Sequence, residues 1–417
     1  MKDGKKKILV YDHGDYLEHA ITLGRHGHEV LYYVPWETSF PNSNEMMVGK
    51  GMEHITKVSD FWKYVDEVDL IALFCNNNAD LVEYLRRKGY KVFGTGASEA
   101  LELDRWFLKK ALRRLNLPTP NSVKIRGLTN LENYLKVMKD KYIKASYIRG
   151  DMETHHFEDF EHSQPWFDDL SVKLGPKKEQ TEFIVEDPID GVEAGYDGYT
   201  IDGQYPKNCL MGYEYKDKGY VGKIVPYDRI HPALKKVNEK LAPFFRKTKT
   251  RALFSTEVRI TDKGEGYLID PCMRGGIPPS DLELELYKNF DEIVIKGAEG
   301  ILVEPEPAAA YGAQIFFNSD WASEGKWIKV SIPENLRRWV KLMGSCMING
   351  EYYVIPDVLG KYIGTCSVVA LGKTPEQCFS SIKKIIEKID AYQLDKDFDT
   401  EKLSEYLKKG EHLGINI

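Results

Sequence analysis

A chain of 417 residues with 42% hydrophobic and 12% aromatic content can bury large cores, and its length suggests about two to four domains. Its 58 basic and 64 acidic side chains leave a net charge of -6, which gives no overall pull toward nucleic acid or anionic lipid. The opening MKDGKKKILVYDHG has too few apolar residues before Asp12 for a secretory segment, and no long apolar run follows. The six cysteines, Cys75, Cys209, Cys272, Cys346, Cys366 and Cys378, form no CxxC pair. The expectation is therefore a soluble, cytoplasmic protein with no membrane partner and no supported nucleic-acid partner, its state (monomer or homodimer) left open.

In chain order, KILVYD, EVLYYV, VDLIALF and KVFGTG are short buried-strand runs separated by segments of helical spacing such as ADLVEYLRRKGY. They predict an open parallel α/β domain of Rossmann-like type over 1–98. Leu103, Phe107, Ala111 and Leu115 recur at helical spacing before Pro118 and Pro120 stop the helix. From Lys141 the runs become isolated strands, KYIKAS, EFIVED, YDGYTID, GKIVPY, ALFSTEVRIT and GYLID, with helices predicted near 129–139, 233–246 and 281–299. This predicts an α+β domain over 99–305, built of two subdomains. After the Pro-rich VEPEPAAA, a small strand-rich domain over 306–417 is expected, with an Asn349-Gly350 hairpin, a strand in IGTCSVVALG and a helix in TPEQCFSSIKKIIEKI.

Several stretches carry chemistry. Gly14, after the first strand, allows backbone N–H groups to approach an anion, and an ordinary strand-to-helix turn explains it equally well. The fingerprint G-x-G-x-x-G is absent, which counts against a dinucleotide enzyme. Lys144 lies in a strand whose alternation points a cation out of the sheet, toward phosphates. Glu186 ends an apolar strand, and Glu193 follows a tight Asp190-Gly191 turn, where it can accept from ribose hydroxyls. FSTEVRIT and GYLIDPCMRGG form an antiparallel pair joined by DKGE, which would set Glu257 beside Asp270. Facing carboxylates repel unless a cation lies between them, and hard oxygens suit magnesium bound to nucleotide phosphates. Arg274 would grip a phosphoryl oxygen with its planar fork.

Taken in order, GDYLEHAI, LDRWFLKKALRRLNLPTP, IVEDPIDGVEAG, DPCMRGG and IGTCSVVALGKTPEQC resemble the ATP-grasp ligases, and among these the phosphoribosylamine-glycine ligases most closely. The resemblance implies a pre-ATP-grasp domain, an ATP-grasp domain hinged near 184–190 and a small C-terminal domain. Glu18 and His19 fall in register with the family's Glu-His-Ala. Arg105 stands in the place of its first phosphate-binding lysine and Lys144 in that of the second. Glu186 and the backbone near Ile189 would bind adenine, and Glu193 the ribose. Glu257 and Asp270 would hold magnesium, or manganese in its place, and Cys272 occupies the position of a metal-binding asparagine. Because a neutral thiol is a poor partner for magnesium, Cys272 is not expected to be a ligand.

The implied activity is ATP-dependent joining of a carboxylate to an amine through an acyl phosphate. Arg105, Lys144 and Arg274 would supply positioning and charge neutralisation. The substrates would be an amino acid or small carboxylate and an amine-bearing sugar phosphate or nucleotide. Two alternatives stand: a true phosphoribosylamine-glycine ligase of purine synthesis, and a nucleotide-binding module without catalysis. The chain departs from the family at its phosphate flap, replaced by SYIRGDMETHHFEDF, and at its substrate segment, replaced by MGYEYKDKGYVGK. There Glu214 and Lys216 are candidate substrate contacts, and His155 and His156 are expected to be exposed loop histidines rather than ligands.

Overall fold

The structure, a computed structural model, describes residues 4–35, 46–146, 154–215, 218–355 and 364–399, together with positions 405, 407, 408 and 411. The chain divides into two compact units. One comprises 1–99, 194–257 and 272–417, and the other 100–193 and 258–271.

In the larger unit the four apolar runs near the N-terminus become the parallel strands β1 (Lys7–Tyr11), β2 (Glu29–Tyr33), β4 (Leu70–Leu73) and β5 (Val92–Phe93), joined by an unexpected two-residue edge strand, β3 (Thr56–Lys57), in sheet order β3-β2-β1-β4-β5. Ile8 and Val10 enter one core while Leu9 enters another, so both faces of β1 are buried and its sequence is unbroken in apolar residues. The strand order reverses between β1 and β4, the place where ligands bind in open sheets of this kind. The helices Leu17–Arg25 and Ala79–Arg87 follow these two strands.

The isolated strands assemble into a sheet of eight, in the order 266–272, 251–260, 192–201, 208–215, 219–226, 311–317, 366–372 and 340–341. Asn349 and Gly350 connect Ser345–Ile348 to Glu351–Val354 with φ of 53° and 81°, the left-handed pair that a two-residue hairpin demands. The helix Pro375–Ile386 is capped by Thr374, whose hydroxyl accepts from the Gln377 amide, and buries Cys378, Phe379, Ile382 and Ile386. The segment expected as one helix over 281–299 is two, Ser280–Leu286 and Phe290–Ala298. The break falls where Tyr287 bridges to Pro307.

The smaller unit is built on an antiparallel sheet ordered 122–126, 182–186, 141–145 and 154–157. It contains a helix that the sequence analysis did not anticipate, Phe160–Leu174, capped by the Asp159 carboxylate accepting from the His162 amide. Phe167 and Leu170 enter the unit's core with Leu128, Leu131, Ile143 and Phe183. Among the described residues no helix is long and apolar enough to cross a membrane.

Candidate functional site

In the smaller unit the helix Arg105–Arg114 presents charge to the interior. Asp104 caps it, its carboxylate accepting from the Phe107 amide. Its buried stripe is Arg105, Leu108, Lys109 and Leu112, shifted from the expected Phe107 and Ala111, which are only partly buried. Arg105 and Lys109, one turn apart on that stripe, are 2% and 1% exposed. Both guanidinium nitrogens of Arg105 donate to Asp270, Nη1 to Oδ1 at 2.5 Å and Nη2 to Oδ2 at 2.9 Å. Lys109 Nζ lies 2.7 Å from Glu186 Oε1, and Lys144 Nζ lies 3.7 Å from Glu186 Oε2. Lys144 also donates to the Ile269 carbonyl at 3.4 Å.

The alternation of YIKAS led to the expectation that Lys144 points away from the sheet; it does so into buried surroundings, at 5% exposure. Five side chains, Arg105, Lys109, Lys144, Glu186 and Asp270, thus gather three cations and two carboxylates, leaving one net positive charge among them. Burial pushes the Glu186 carboxyl up, but Lys144 and Lys109 outweigh burial and hold it below its usual range. Burial lowers Lys109 to about 8 against the opposing pull of Glu186. A buried surplus of positive charge is a place for an anion.

Glu193 lies at the other end of the connection from Glu186. Arg259 donates to its Oε2 at 2.6 Å and, through Nη1, to the Ile189 carbonyl at 3.2 Å. Gly191 between them has φ +147°, and a Cβ there would stand 2.3 Å from the Ile260 carbonyl oxygen, so only glycine lets the turn pass. Among the expected residues this unit therefore brings together Arg105, Lys144, Glu186 and Asp270 in one cluster and Ile189 with Glu193 in another. The sequence analysis missed Lys109 and Arg259. The signals available were the i, i+4 relation of Lys109 to Arg105 and the i, i+2 relation of Arg259 to Glu257.

Part of the segment in the flap's place, 147–153, lies outside the described residues, as does Lys216 of the substrate segment. His155 stacks on Trp166 with ring centroids 4.1 Å apart, and His156 pairs with Asp140 at 2.8 Å. Both belong to the strand Thr154–Phe157 rather than to a loop.

Glu257, Cys272, Arg274 and Glu214 belong to the larger unit. Glu257 and Cys272 are partly buried, and Glu214 is exposed on the strand Asn208–Tyr215. Arg274 Nη1 donates to the Tyr16 hydroxyl at 3.2 Å and to the Gly275 carbonyl at 3.0 Å, while Tyr16 donates to the same carbonyl at 2.7 Å. Arg274 is thereby fixed beside the turn that follows β1. Gly275 has no room for a side chain, since a Cβ would meet Ser280 and Tyr16 within 3.0 Å. Glu18 and His19 are buried. Glu18 accepts from Arg337 and from the Leu342 amide, and burial lowers His19 to about 3, so it stays neutral.

At the carboxyl edge of the parallel sheet, two carboxylates take up four of the backbone amides. The Asp12 carboxylate accepts from the amides of His13 at 2.7 Å and Tyr16 at 3.0 Å, and from the Tyr32 hydroxyl. The Glu99 carboxylate accepts from the amides of Asn78 at 3.1 Å and Ala79 at 3.0 Å, at the start of the Ala79–Arg87 helix. The segments 12–16, 74–79 and 94–99 that form this edge contain Asp12, Asp15 and Glu99 but no lysine or arginine.

Among the described residues, no three His, Cys, Asp or Glu side chains gather as a metal site. Magnesium that arrives on nucleotide phosphates needs only one or two protein carboxylates. Asp270 offers such oxygens.

By sequence, no protein-family model and no curated protein matches the chain. By structure it is similar to the phosphoribosylamine-glycine ligase of Thermotoga maritima, with TM-score 0.72 and 16% identity over 93% of this chain and 98% of that one. It is also similar to the biotin carboxylase domain of the Hydrogenobacter thermophilus 2-oxoglutarate carboxylase, solved with MgADP and bicarbonate, with TM-score 0.67 and 13% identity over 98% of both chains. The L-amino acid ligase of Bacillus licheniformis gives TM-score 0.61 and 14% identity over 94% of this chain and all of that one. At these identities the likeness is one of fold.

Proposed function

We propose, from the ATP-grasp fold that this chain has, that it is an ATP-dependent ligase joining a carboxylate to an amine. The observation that carries the reading is the buried, net-positive cluster of Arg105, Lys109, Lys144, Glu186 and Asp270. Such a cluster favours a polyphosphate. In this reading Arg105 and Lys144 hold the phosphates, Glu186 and the backbone at Ile189 bind adenine, and Glu193, aimed by Arg259, binds the ribose. Glu257 and Asp270 hold magnesium, or manganese, and Arg274 meets the γ-phosphoryl group. Bound magnesium would neutralise phosphate charge. These roles for Glu257 and Arg274 come from the sequence resemblance.

The substrate carboxylate attacks the γ-phosphorus, the bond to the β-phosphate oxygen breaks and ADP leaves. The amine nitrogen then attacks the acyl carbon, sheds a proton and expels phosphate. No nucleophilic side chain is needed, and catalysis rests on placement and charge.

Asp12 and Glu99 favour one class of acceptor. Their carboxylates take up the amides of His13, Tyr16, Asn78 and Ala79 at the switch point, and a phosphate placed on those donors would meet carboxylate charge. The favoured acceptor is an unphosphorylated amine, which speaks against phosphoribosylamine as the substrate. The deciding experiment is ADP release by the purified chain with MgATP, screened over amino acids in the presence of hydroxylamine. A hydroxamate together with ADP supports the ligase reading. A chain that binds MgADP yet forms no hydroxamate with any carboxylate would leave it a binding module.

A further inference from the structure

Lys109 takes none of the roles above, yet it is the most deeply buried cation of the cluster. It stands one helical turn from Arg105, and its ammonium is 2.7 Å from Glu186, whereas Lys144 is held off at 3.7 Å from the same carboxylate. A buried carboxylate needs a cation, and with Lys109 absent Lys144, at 3.7 Å, is the next ion-pair partner among the described residues. The two would close into a contact pair, and the charge of Lys144 would be spent on Glu186.

Building on the nucleotide site read above, we infer that Lys109 is a positioning residue: it holds Glu186 so that Lys144 keeps its charge for the phosphates. It touches no part of the nucleotide itself. The groups that set its own charge are Glu186 on the strand Glu182–Glu186, Lys144 on the strand Lys141–Ala145 and Arg105 on its own helix. Burial and the two cations outweigh the carboxylate and bring Lys109 to about 8. The hold on Glu186 therefore slackens as pH rises past that value, and nucleotide affinity declines with it.

A structural ion pair alone predicts lost stability and nothing selective. The test is calorimetric titration of MgADP into the full chain and its variants. Lys109→Met should weaken binding by about tenfold in the parent background, in line with loss of a charge-assisted contact. In the Glu186→Gln background the same change should cost less than about threefold, because no carboxylate remains to capture Lys144. Lys109→Arg, which keeps the charge and guards against a misfolded methionine variant, should retain binding and hold it from pH 7 to 9, where the parent's affinity falls. Equal losses in the two backgrounds, or an arginine variant with the parent's pH profile, overturn the positioning role. A parent that binds no MgADP overturns the nucleotide site itself, and the role of Lys109 with it.

Discussion

Arg105 and Asp270 hold each other through two parallel hydrogen bonds. The first is the residue assigned to phosphate and the second the residue assigned to magnesium. On that assignment each would compete with the ligand of the other, and a Mg-nucleotide would release both at once. Asp270→Asn should weaken MgADP binding by about tenfold or more while strengthening the binding of metal-free ADP several-fold, since Arg105 is no longer engaged by a carboxylate. Titrations with magnesium and with EDTA measure both arms. Metal-free ADP binding that stays unchanged or falls would show that the pair does not restrain Arg105.

Products give a second prediction. With a productive substrate pair, ADP and phosphate should appear in equal amounts, without AMP or pyrophosphate, as 31P NMR would record. Lys144→Ala should raise the ATP requirement and slow turnover together, by about tenfold to a hundredfold in kcat/KM, because a buried phosphate charge is left unpaired. Formation of AMP would exclude an acyl phosphate.

Acceptors offer a third. In matched pairs that differ only in a phosphate, such as serine and phosphoserine or glucosamine and its 6-phosphate, the unphosphorylated member should be preferred by about tenfold or more in kcat/KM, a modest charge penalty. Glu99→Ala, which releases the amides of Asn78 and Ala79, should narrow that preference. A parent enzyme that prefers the phosphorylated member contradicts the occupied-edge reading.

Stability should depend on pH in a direction that the buried acids fix. Burial raises Asp12 to about 6 and both Asp197 and Asp281 to about 7, and it raises Glu283 well above the ordinary range. Each binds a proton more tightly in the folded chain than in the unfolded one, so the stability it contributes is complete below about pH 4 and is lost as pH rises, through 6 to 7 for the three aspartates. Asp291 works oppositely. Burial pushes it up, but hydrogen bonds from His26 and His28 hold it low, so its contribution fades in acid. The melting temperature should peak on the acid side of neutrality and fall by about 2–4 °C or more toward pH 8. Asp197→Asn should flatten the alkaline limb in a thermal scan, and an unchanged limb would remove Asp197 from its causes.

Much of the architecture was legible because it is local. The β1, β2, β4 and β5 runs, the Asn349-Gly350 turn and the hairpin from Ile260 to Gly266 follow from spacing and turn chemistry. The helix Phe160–Leu174 is hidden in the sequence because Pro165 stands within it. The split at Tyr287 depends on Pro307, twenty residues on, which no local pattern reveals. The site divides along the same line. Residue types mark Lys144, Glu186, Glu193 and Asp270 as candidates, and the family resemblance adds Arg105. That Arg105 faces Asp270, that Lys109 turns inward and that Arg259 aims Glu193 depend on partners between 66 and 165 positions away.

The sheet of eight strands bears on how the chain can be cut. Gly219–Pro226 within it is hydrogen-bonded on one side to 208–215 and on the other to Tyr311–Phe317, which in turn pairs with Cys366–Gly372. A truncation near 305 at the Pro-rich VEPEPAAA, however natural that linker makes it look, would strip three strands from the sheet. It would unpair residues 219–224 on that side and leave their outward amides and carbonyls open, an edge that recruits other chains. The shortened protein should collect in inclusion bodies, and coexpressing 306–417 as a separate piece should draw it back into solution by supplying the missing strands.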